Sequence, residues 1–128
     1  MLRLKPFPCW ASWAIPTGFW MTLAPTIYHP RDVDPSDFPS IILHEQVHLR
    51  QQASGLLWWL LRYVLSRKFR LKEEAEAYAV EINSLPLTVQ AARLVEAGKM
   101  LSGSLYFRCA SDPLEAESRI NEWLQRMA

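Results

Sequence analysis

The chain has 128 residues, half of them hydrophobic, which is the usual size of one domain and enough to bury a single core. Its 14 Lys and Arg residues against 13 Asp and Glu residues leave a net charge of +1. That balance argues against the strongly basic surface by which many proteins bind nucleic acid or anionic lipid. We therefore expect one domain, residues 1–128, with no nucleic-acid partner.

The first third of the chain is predicted to be irregular apart from one small β element. Gly18 to Tyr28 is rich in aromatic and β-branched residues, which favours a strand or short hairpin. Pro25 lacks the amide N–H that an inner strand needs, so this strand belongs at a sheet edge or a bend. Pro30 to Pro39 concentrates proline and turn-forming residues and predicts a loop. Asp37 or Ser40 would cap the helix that follows.

The remainder of the chain predicts five helices. Gly55 suits the end of the first helix, Pro86 the start of the fourth, and Asp112 the cap of the fifth. The basic turn from Arg67 to Arg70 suits the C-terminal end of the second. The predicted helices are Ile41 to about Ala53, Leu56 to about Arg67, Lys72 to Asn83, Pro86 to near Gly103, and Pro113 to about Met127. The predicted fold class is α+β and mainly α, with about five helices and a small hairpin or edge strand near the N-terminus.

Two segments have some of the character of membrane-associated sequence. Residues 8–25 follow a basic start and are rich in Trp and Ala, but three prolines interrupt any helix there, which argues against a signal peptide. The apolar run Leu56 to Leu61 ends at Arg62, well short of the roughly 20 residues that a membrane span needs. Trp58 and Trp59 within it are predicted to fill the core, whereas an exposed pair would mark a partner or membrane surface. We expect a cytoplasmic protein without a transmembrane span.

A metal-binding motif lies in the first predicted helix, His44-Glu45-Gln46-Val47-His48. Residues four apart share one face of a helix, so His44 and His48 can bind one ion. Glu45 is rotated by about 100° from His44, which places it beside a water molecule on that ion. Zinc lowers the pKa of such a water to near 7, and a carboxylate can take its proton. We predict one Zn²⁺ with Glu45 as general base; ordinary helical histidines are the alternative.

A catalytic zinc site needs a third protein ligand, and the third predicted helix offers Glu73, Glu74 and Glu76. Measured from the centre of the apolar stripe of this helix, Glu74 lies about 70° away, Glu76 about 130° and Glu73 about 170°. Glu74 therefore points nearest the interior, where a carboxylate needs a cation as its partner. Glu73 and Glu76 are expected on a solvated face. The stripe consists of Leu71, Ala75, Tyr78 and Ile82.

This arrangement resembles the gluzincin zinc peptidases, in which a Glu on a later helix completes a site with two histidines. The resemblance is strongest to the very small members, called minigluzincins, and to short zincin-like proteins of bacteria and phages, and it runs from about Gly18 to Glu81. It implies a zincin-like single domain with Glu74 as third ligand and Glu45 as proton shuttle. It also implies that the strand from Thr22 to Tyr28 binds an extended peptide by β-augmentation.

The chain departs from the larger gluzincins at Tyr78. Those enzymes often have Asp or Asn four residues after the ligand Glu, where it supports a histidine, and a Tyr hydroxyl could give part of that support. Tyr28 or Tyr63 could donate a hydrogen bond to a developing oxyanion. His29 could be a fourth ligand that closes the site. A purely structural role is the alternative for each of these residues.

Four further polar residues are given structural interpretations. Gln51 and Gln52 follow the motif and are expected to face solvent or to bond to nearby backbone. Cys9 and Cys109 are too few for a disulfide framework or a Cys-x-x-Cys metal site, so we interpret them as buried thiols. A disulfide between them is the alternative, because the ends of small domains often lie close together.

Three functions follow from the sequence, in order of preference. The first is a zinc-dependent metallopeptidase or amide hydrolase acting on a peptide or protein substrate. The second is a non-catalytic zincin-fold structural or interaction module, for which a phage is one candidate source, and in which zinc stabilises the fold without turnover. The third is a membrane-associated protein that uses the Trp-rich segments. An open metal position beside an edge strand would favour the first, and a fourth protein ligand or a blocked strand the second.

Overall fold

A computed structural model describes the backbone of residues 1–128 and every side chain except that of Ser12. A small sheet near the N-terminus and five α-helices confirm the predicted fold class. None of the helices in this described chain combines the length and the apolar character needed to cross a membrane. The strands are β1 (Arg3–Pro6), β2 (Met21–Leu23) and β3 (Thr26–His29), and the helices are α1 (Pro39–Gln51), α2 (Leu56–Leu65), α3 (Arg67–Asn83), α4 (Leu87–Leu101) and α5 (Pro113–Met127).

The sheet has the strand order β1-β3-β2, so β2 is an edge strand. The predicted single element from Gly18 to Tyr28 is a hairpin in which β2 and β3 pair antiparallel around a turn at Ala24 and Pro25. Pro25 thus stands at a bend, as its missing N–H requires. The parallel partner β1 was missed, because its sequence Arg-Leu-Lys-Pro has little strand character and its partners lie more than 20 residues away.

Helix α1 starts differently from the prediction. It begins at Pro39, with Phe38 in the capping position and no side-chain cap, so neither Asp37 nor Ser40 caps it. Asp37 instead belongs to a 3-10 turn that leads into the helix. Proline suits the first helical position because its fixed φ matches the helix and its missing N–H would have no partner there.

The boundary between α2 and α3 also lies elsewhere. The basic turn from Arg67 to Arg70 is the first turn of α3, not the end of α2. Ser66 separates the two helices in an extended conformation, and its side chain accepts a hydrogen bond from the amide of Phe69 at 3.2 Å. The serine cap therefore outweighs the preference of basic residues for a helix C-terminus.

The main core is formed where α3 packs against α4 and α5. Gly98 on α4 permits close packing, because a Cβ there would lie only 2.9 Å from the carbonyl oxygen of Pro113 on α5. Cys109 is buried in this core, as predicted, whereas Cys9 is exposed. The buried cluster comprises Leu71, Ala75, Tyr78, Ala79, Ile82, Ala97, Leu101, Cys109, Ala110, Ala116 and Ile120. The opposite side of α3 faces α1, and the predicted site lies there.

The two neighbouring tryptophans of α2 have opposite environments. Trp59 is buried, as predicted, and stacks on Tyr63 with 4.8 Å between ring centroids. Trp58 is 60% exposed, so its predicted place in the core is wrong. One residue further along a helix is a rotation of about 100°, which turns Trp58 away when Trp59 faces inward.

Candidate metal centre

Two histidines and one glutamate from α1 and α3 converge at the predicted site. His44 and His48 lie one turn apart on the buried side of α1, with 5.0 Å between their ring centroids. Glu74 reaches them from α3, and its Oε2 lies 3.4 Å from Nε2 of each histidine. All three residues are buried, and their ligand atoms lie within 4.8 Å of one another. The described side chains thus form one group that can hold a metal ion.

The spacing of these atoms fits a tetrahedral ion. Two ligand atoms that each lie about 2.05 Å from a tetrahedral metal are about 3.3 Å apart, close to the 3.4 Å from Glu74 Oε2 to each imidazole nitrogen. That distance is long for a hydrogen bond, and Glu74 Oε2 is a buried oxygen without a hydrogen-bond partner. Such an oxygen is costly to bury unless a cation binds it.

The tautomer of His48 is determined by its neighbour Gln51. Gln51 Nε2 donates a hydrogen bond to the carbonyl oxygen of Glu73 at 3.0 Å, which leaves Oε1 facing His48 Nδ1 at 2.8 Å. A carbonyl oxygen only accepts, so Nδ1 carries the proton and the lone pair of Nε2 points at the site. Gln51 bonds to backbone, but to that of α3 and not to the nearby backbone we expected, and its contact with His48 was missed.

Glu81 lies behind His44 and was also missed. Its Oε1 is 3.2 Å from His44 Nδ1, a close charge contact outside hydrogen-bond geometry. Arg93 of α4 holds the other oxygen of Glu81, with Nε 2.5 Å from Oε2. The available signal was the spacing, because Glu81 lies seven residues after Glu74, about two turns along the same helix face. Glu81 thus places a carboxylate beside His44, whereas Tyr78 contributes only its ring there.

The tyrosines predicted at the site have different positions. The Tyr63 hydroxyl donates to Glu74 Oε1 at 2.6 Å, so it orients the carboxylate of the candidate third ligand. The Tyr78 ring packs edge-on against His44 at 4.5 Å, and its hydroxyl contacts that of Tyr106. Tyr28 does not join them: it pairs with Met21 on the sheet face opposite Thr22 and stacks on a phenylalanine.

Glu45 is held by the hairpin. It is buried beside His44, and its Oε2 accepts a hydrogen bond from the Thr22 hydroxyl at 2.6 Å. Gln52 fastens the same strand to α1, because it accepts from the amide of Ala24 at 2.7 Å and donates to the carbonyl oxygen of Thr22 at 2.9 Å. Gln52 was expected to face solvent or to bond to nearby backbone. It bonds to backbone, but to distant residues such as Ala24, which lies 28 positions away in the sequence.

The other predicted acidic and imidazole candidates lie outside the ligand group. His29 is buried, and its Nδ1 lies 2.8 Å from the carbonyl oxygen of Pro30. Glu76 pairs with Arg50. Glu73 is not on the solvated face we predicted, because α2 packs beside it and the Trp59 indole donates to its carboxylate at 3.3 Å.

The buried charges of the site shift one another's pKa values. Burial lowers the pKa of His44, but the neighbouring carboxylates of Glu74 and Glu81 outweigh it and raise that pKa to about 10. Burial raises the pKa of Glu74, but His48 and His44 outweigh it and lower that pKa. Burial and the adjacent Glu74 carboxylate raise the pKa of Tyr63, so its hydroxyl remains a donor. The carboxylates here require a positive charge.

Two cavities border the candidate metal centre. The larger, of about 270 Å³, lies between β2 and α2 and reaches Glu74 and His48. The smaller, of about 150 Å³, extends towards α4 and reaches Glu81 and Arg93. Both are lined by His44, Glu45 and Tyr106. Tyr106 was missed, because it lies in a short 3-10 turn after α4 whose position depends on tertiary packing.

Comparison with known proteins adds nothing to the interpretation of this site, which therefore rests on the contacts described above. Each residue of the candidate metal group contacts a further side chain: Gln51 of α1, Tyr63 of α2 or Glu81 of α3. These contacts depend on the packing of all three helices. Tyr106, from the turn between α4 and α5, contacts Tyr78 and none of the three residues of the candidate metal group. No protein-family model, no curated protein and no solved structure matches the chain.

Proposed function

We propose that this protein is a zinc-dependent metallopeptidase of the gluzincin kind. The observation that carries the proposal is the geometry around Glu74 Oε2, a buried oxygen without a hydrogen bond that lies 3.4 Å from two imidazole nitrogens. Glu45, the residue next to His44, borders both cavities that adjoin the candidate metal centre. A ligand set, an adjacent carboxylate and room for a substrate are the parts that hydrolysis requires.

Zinc is the ion that best fits the donors. Two imidazoles and one carboxylate are a common set for catalytic zinc, whereas calcium and magnesium prefer six or more oxygen ligands. The formal charges agree, because among the described side chains the only Lys or Arg that pairs with Glu45, Glu74 or Glu81 is Arg93, which holds Glu81, when the histidines are neutral. Two negative charges then remain for a divalent ion to neutralise.

The open position favours catalysis over a purely structural site. The group of ligand atoms contains three residues, and no fourth His, Cys, Asp or Glu among the described side chains joins it. Structural zinc sites usually have four protein ligands, and catalytic sites usually have three. Zinc held here would supply Lewis acidity that acidifies water and polarises a carbonyl oxygen.

Glu45 would move the proton. It takes a proton from the attacking water and delivers it to the leaving amine as the peptide bond breaks. Thr22 donates to Glu45 Oε2, which orients the carboxylate. Tyr106 borders both cavities, and its hydroxyl contacts that of Tyr78 at 3.1 Å. In this proposal the Tyr106 hydroxyl would donate to the oxygen of the substrate carbonyl.

The substrate class follows from the edge strand. β2 pairs only with β3, and Met21, Thr22 and Leu23 line the larger cavity. An extended peptide can add to such an edge through its backbone amides and carbonyls, with its side chains entering the cavity. This supports a peptide or a flexible segment of a protein as substrate.

One observation favours the non-catalytic alternative. His44, Glu45 and Glu74 are each at most 5% exposed, as expected of a metal that stabilises a fold. In that alternative zinc would bind at the same ligands, and Glu45 would contribute only through its hydrogen bond to Thr22. The two functions therefore differ in turnover and not in metal binding.

Replacement of Glu45 separates these functions. We expect Glu45→Gln to retain zinc and to cleave a peptide library at least about 100-fold more slowly than the wild type, because the amide cannot accept a proton. Glu122→Gln on α5, an exposed glutamate paired with Arg119, is the matched control and should retain both properties. Equal cleavage by Glu45→Gln and wild type would refute the catalytic role, and zinc-loaded wild type without any cleavage would favour the structural module.

A further inference from the structure

The outward side of α2 is apolar and exposed. Its five residues are between 49% and 81% exposed, although none is polar. At 100° per residue they fall within about 120° of one another, which makes a continuous stripe. We name this stripe the α2 face: Leu57, Trp58, Leu61, Val64 and Leu65. Phe107, itself 71% exposed, extends it, because Phe107 and Val64 line the same cavity.

The exposure of the α2 face is imposed by the inner side of the helix. Trp59 stacks on Tyr63, and its indole donates to Glu73. Tyr63 donates to Glu74. Rotation of α2 to bury its outer side would break these contacts, so the face remains open in the folded chain. Exposed apolar patches of this kind mark interaction surfaces.

Exposed basic residues lie on α2 or close to the α2 face in the sequence: Arg62 on α2 itself, Lys68 three residues after Leu65, and Arg108 next to Phe107. Arg62 lies over the ring of Phe69 at 4.1 Å, and neither it, Lys68 nor Arg108 forms an ion pair among the described side chains. All three are exposed. Between Glu45 and Glu73 the chain has no acidic residue and six basic ones, which the net charge of +1 conceals. These basic residues are Arg50, Arg62, Arg67, Lys68, Arg70 and Lys72, of which Arg50 and Arg67 form ion pairs with Glu76 and Glu115, and Arg70 is buried.

We propose that the α2 face binds the surface of an anionic lipid bilayer. α2 would lie in the plane of the interface, with its Leu and Val side chains below the headgroups and Trp58 at their level. Arg62, Lys68 and Arg108 would reach the phosphates along their flexible stems. With 10 residues, α2 is too short to span a bilayer and long enough to lie on one.

Charge favours lipid over a second copy of the chain. In a symmetric dimer the same patch faces itself, which would bring the two basic rims together. No acidic residue lies between positions 45 and 73 to compensate them. An anionic headgroup layer complements both the apolar stripe and its rim.

The consequence concerns the neighbouring cavity. Leu60, Tyr63 and Val64 of α2 line the larger cavity beside the metal centre. A chain bound through the α2 face would therefore hold the mouth of this cavity at the bilayer surface. Lipid binding through the α2 face depends on its exposed apolar residues and on charge, and so requires neither zinc nor peptide cleavage.

Sedimentation of the full chain with lipid vesicles tests the proposal. We expect binding to vesicles of phosphatidylcholine with phosphatidylglycerol, weaker binding at high salt, and little binding to phosphatidylcholine alone. The triple variant Trp58→Gln, Leu61→Gln and Leu65→Gln should bind at least about tenfold more weakly. Leu87→Gln with Leu114→Gln, which alters two leucines on other helices that are more exposed than the three substituted residues, should bind as the wild type does.

Two further measurements keep the result interpretable. Arg62→Gln with Lys68→Gln leaves the apolar residues intact. It should lower the affinity for anionic vesicles by about fivefold for each residue and should also make binding less sensitive to salt. Unchanged circular dichroism and zinc content would show that all variants are folded. Absence of wild-type binding to anionic vesicles would overturn the proposal. So would unchanged binding of the triple variant, or a dimer in ultracentrifugation that the triple substitution abolishes.

Discussion

Helix α3 has two buried sides of opposite chemistry. On one side Ala75 and Ile82 pack against α4 and α5, and on the other Glu74 and Glu81 face the histidines of α1. All four side chains are almost fully buried. The apolar side is stabilised by removing its surface from water, whereas the polar side loses hydration that only a cation and hydrogen bonds can offset.

This difference shows which side of α3 is stable without a bound cation. The apolar interface needs nothing beyond the chain. The polar interface needs a positive charge, and in the metal-free protein that charge is a proton, since the adjacent Glu74 and Glu81 raise the pKa of His44 to about 10 despite burial. If zinc binds here as we propose, zinc and a proton would therefore compete for one place in the fold. Four predictions test this comparison, from the largest expected effect to the smallest.

The largest effect should come from zinc itself. At about a thousandfold excess over its dissociation constant, zinc should raise the free energy of unfolding of the wild type by about 4 kcal/mol relative to protein in chelator. Glu74→Gln should remove nearly all of that difference, because the amide is a poor ligand for the ion. Urea unfolding measures both. Glu122→Gln is the control, and equal zinc stabilisation of Glu74→Gln would show that Glu74 is not a ligand.

The second prediction concerns the apolar side. Ile120→Ala should lower the free energy of unfolding by about 3 kcal/mol, because it leaves a cavity in the buried cluster. The loss should be the same with zinc and with chelator, since the two sides of α3 are stabilised separately. Leu114→Ala, at a position 75% exposed on the same helix, should cost under about 0.5 kcal/mol. A loss for Ile120→Ala that depended on zinc would contradict this separation.

The third prediction concerns Glu81, which touches a ligand and not the ion. Glu81→Gln should weaken zinc binding by about 10- to 100-fold, because a neutral amide supports the His44 imidazole less well than a carboxylate. Competition with a chelating dye measures the change. Glu96→Gln is the matched control, since Glu96 also pairs with Arg93 but lies exposed. Equal affinities of Glu81→Gln and Glu96→Gln would remove Glu81 from the site.

The fourth prediction is a pH dependence. The folded pKa of His44, about 10, lies above its ordinary value of 6.5, so its contribution to stability is complete below 6.5 and is lost as the pH rises towards 10. Zinc must displace this proton, so its apparent affinity should rise about tenfold per pH unit across the neutral range. Zinc titrations at successive pH values measure the slope. A flat profile would mean that the metal-free site holds no proton.

The residues that sequence reasoning identified are those related by local helix geometry. His44 and His48 share a face because they are four residues apart, and the apolar stripe of α3 orients Glu74. Local periodicity and capping residues also predicted the five helices, since they need no knowledge of neighbours, although the boundary between α2 and α3 was misplaced. β2 and β3 could be expected because the hairpin is local.

The residues that it missed act across elements. Thr22 reaches Glu45 over 23 residues, and Gln52 reaches Ala24 over 28. Glu73 was placed in solvent because a helical wheel shows one helix and not α2 beside it. The same helical wheel places Glu81 on the face of Glu74, but its partner His44 becomes evident only when α1 packs on α3. Such contacts depend on tertiary packing.

The most direct test of the metal centre is calorimetric titration of the chelator-treated protein with zinc. The geometry of His44, His48 and Glu74 predicts one ion per chain and strongly weakened binding in His44→Ala. X-ray absorption of the loaded protein should then show two imidazole nitrogens and oxygen donors. Wild-type protein that takes up no zinc, or His44→Ala that binds zinc as tightly as the wild type, would contradict the assignment.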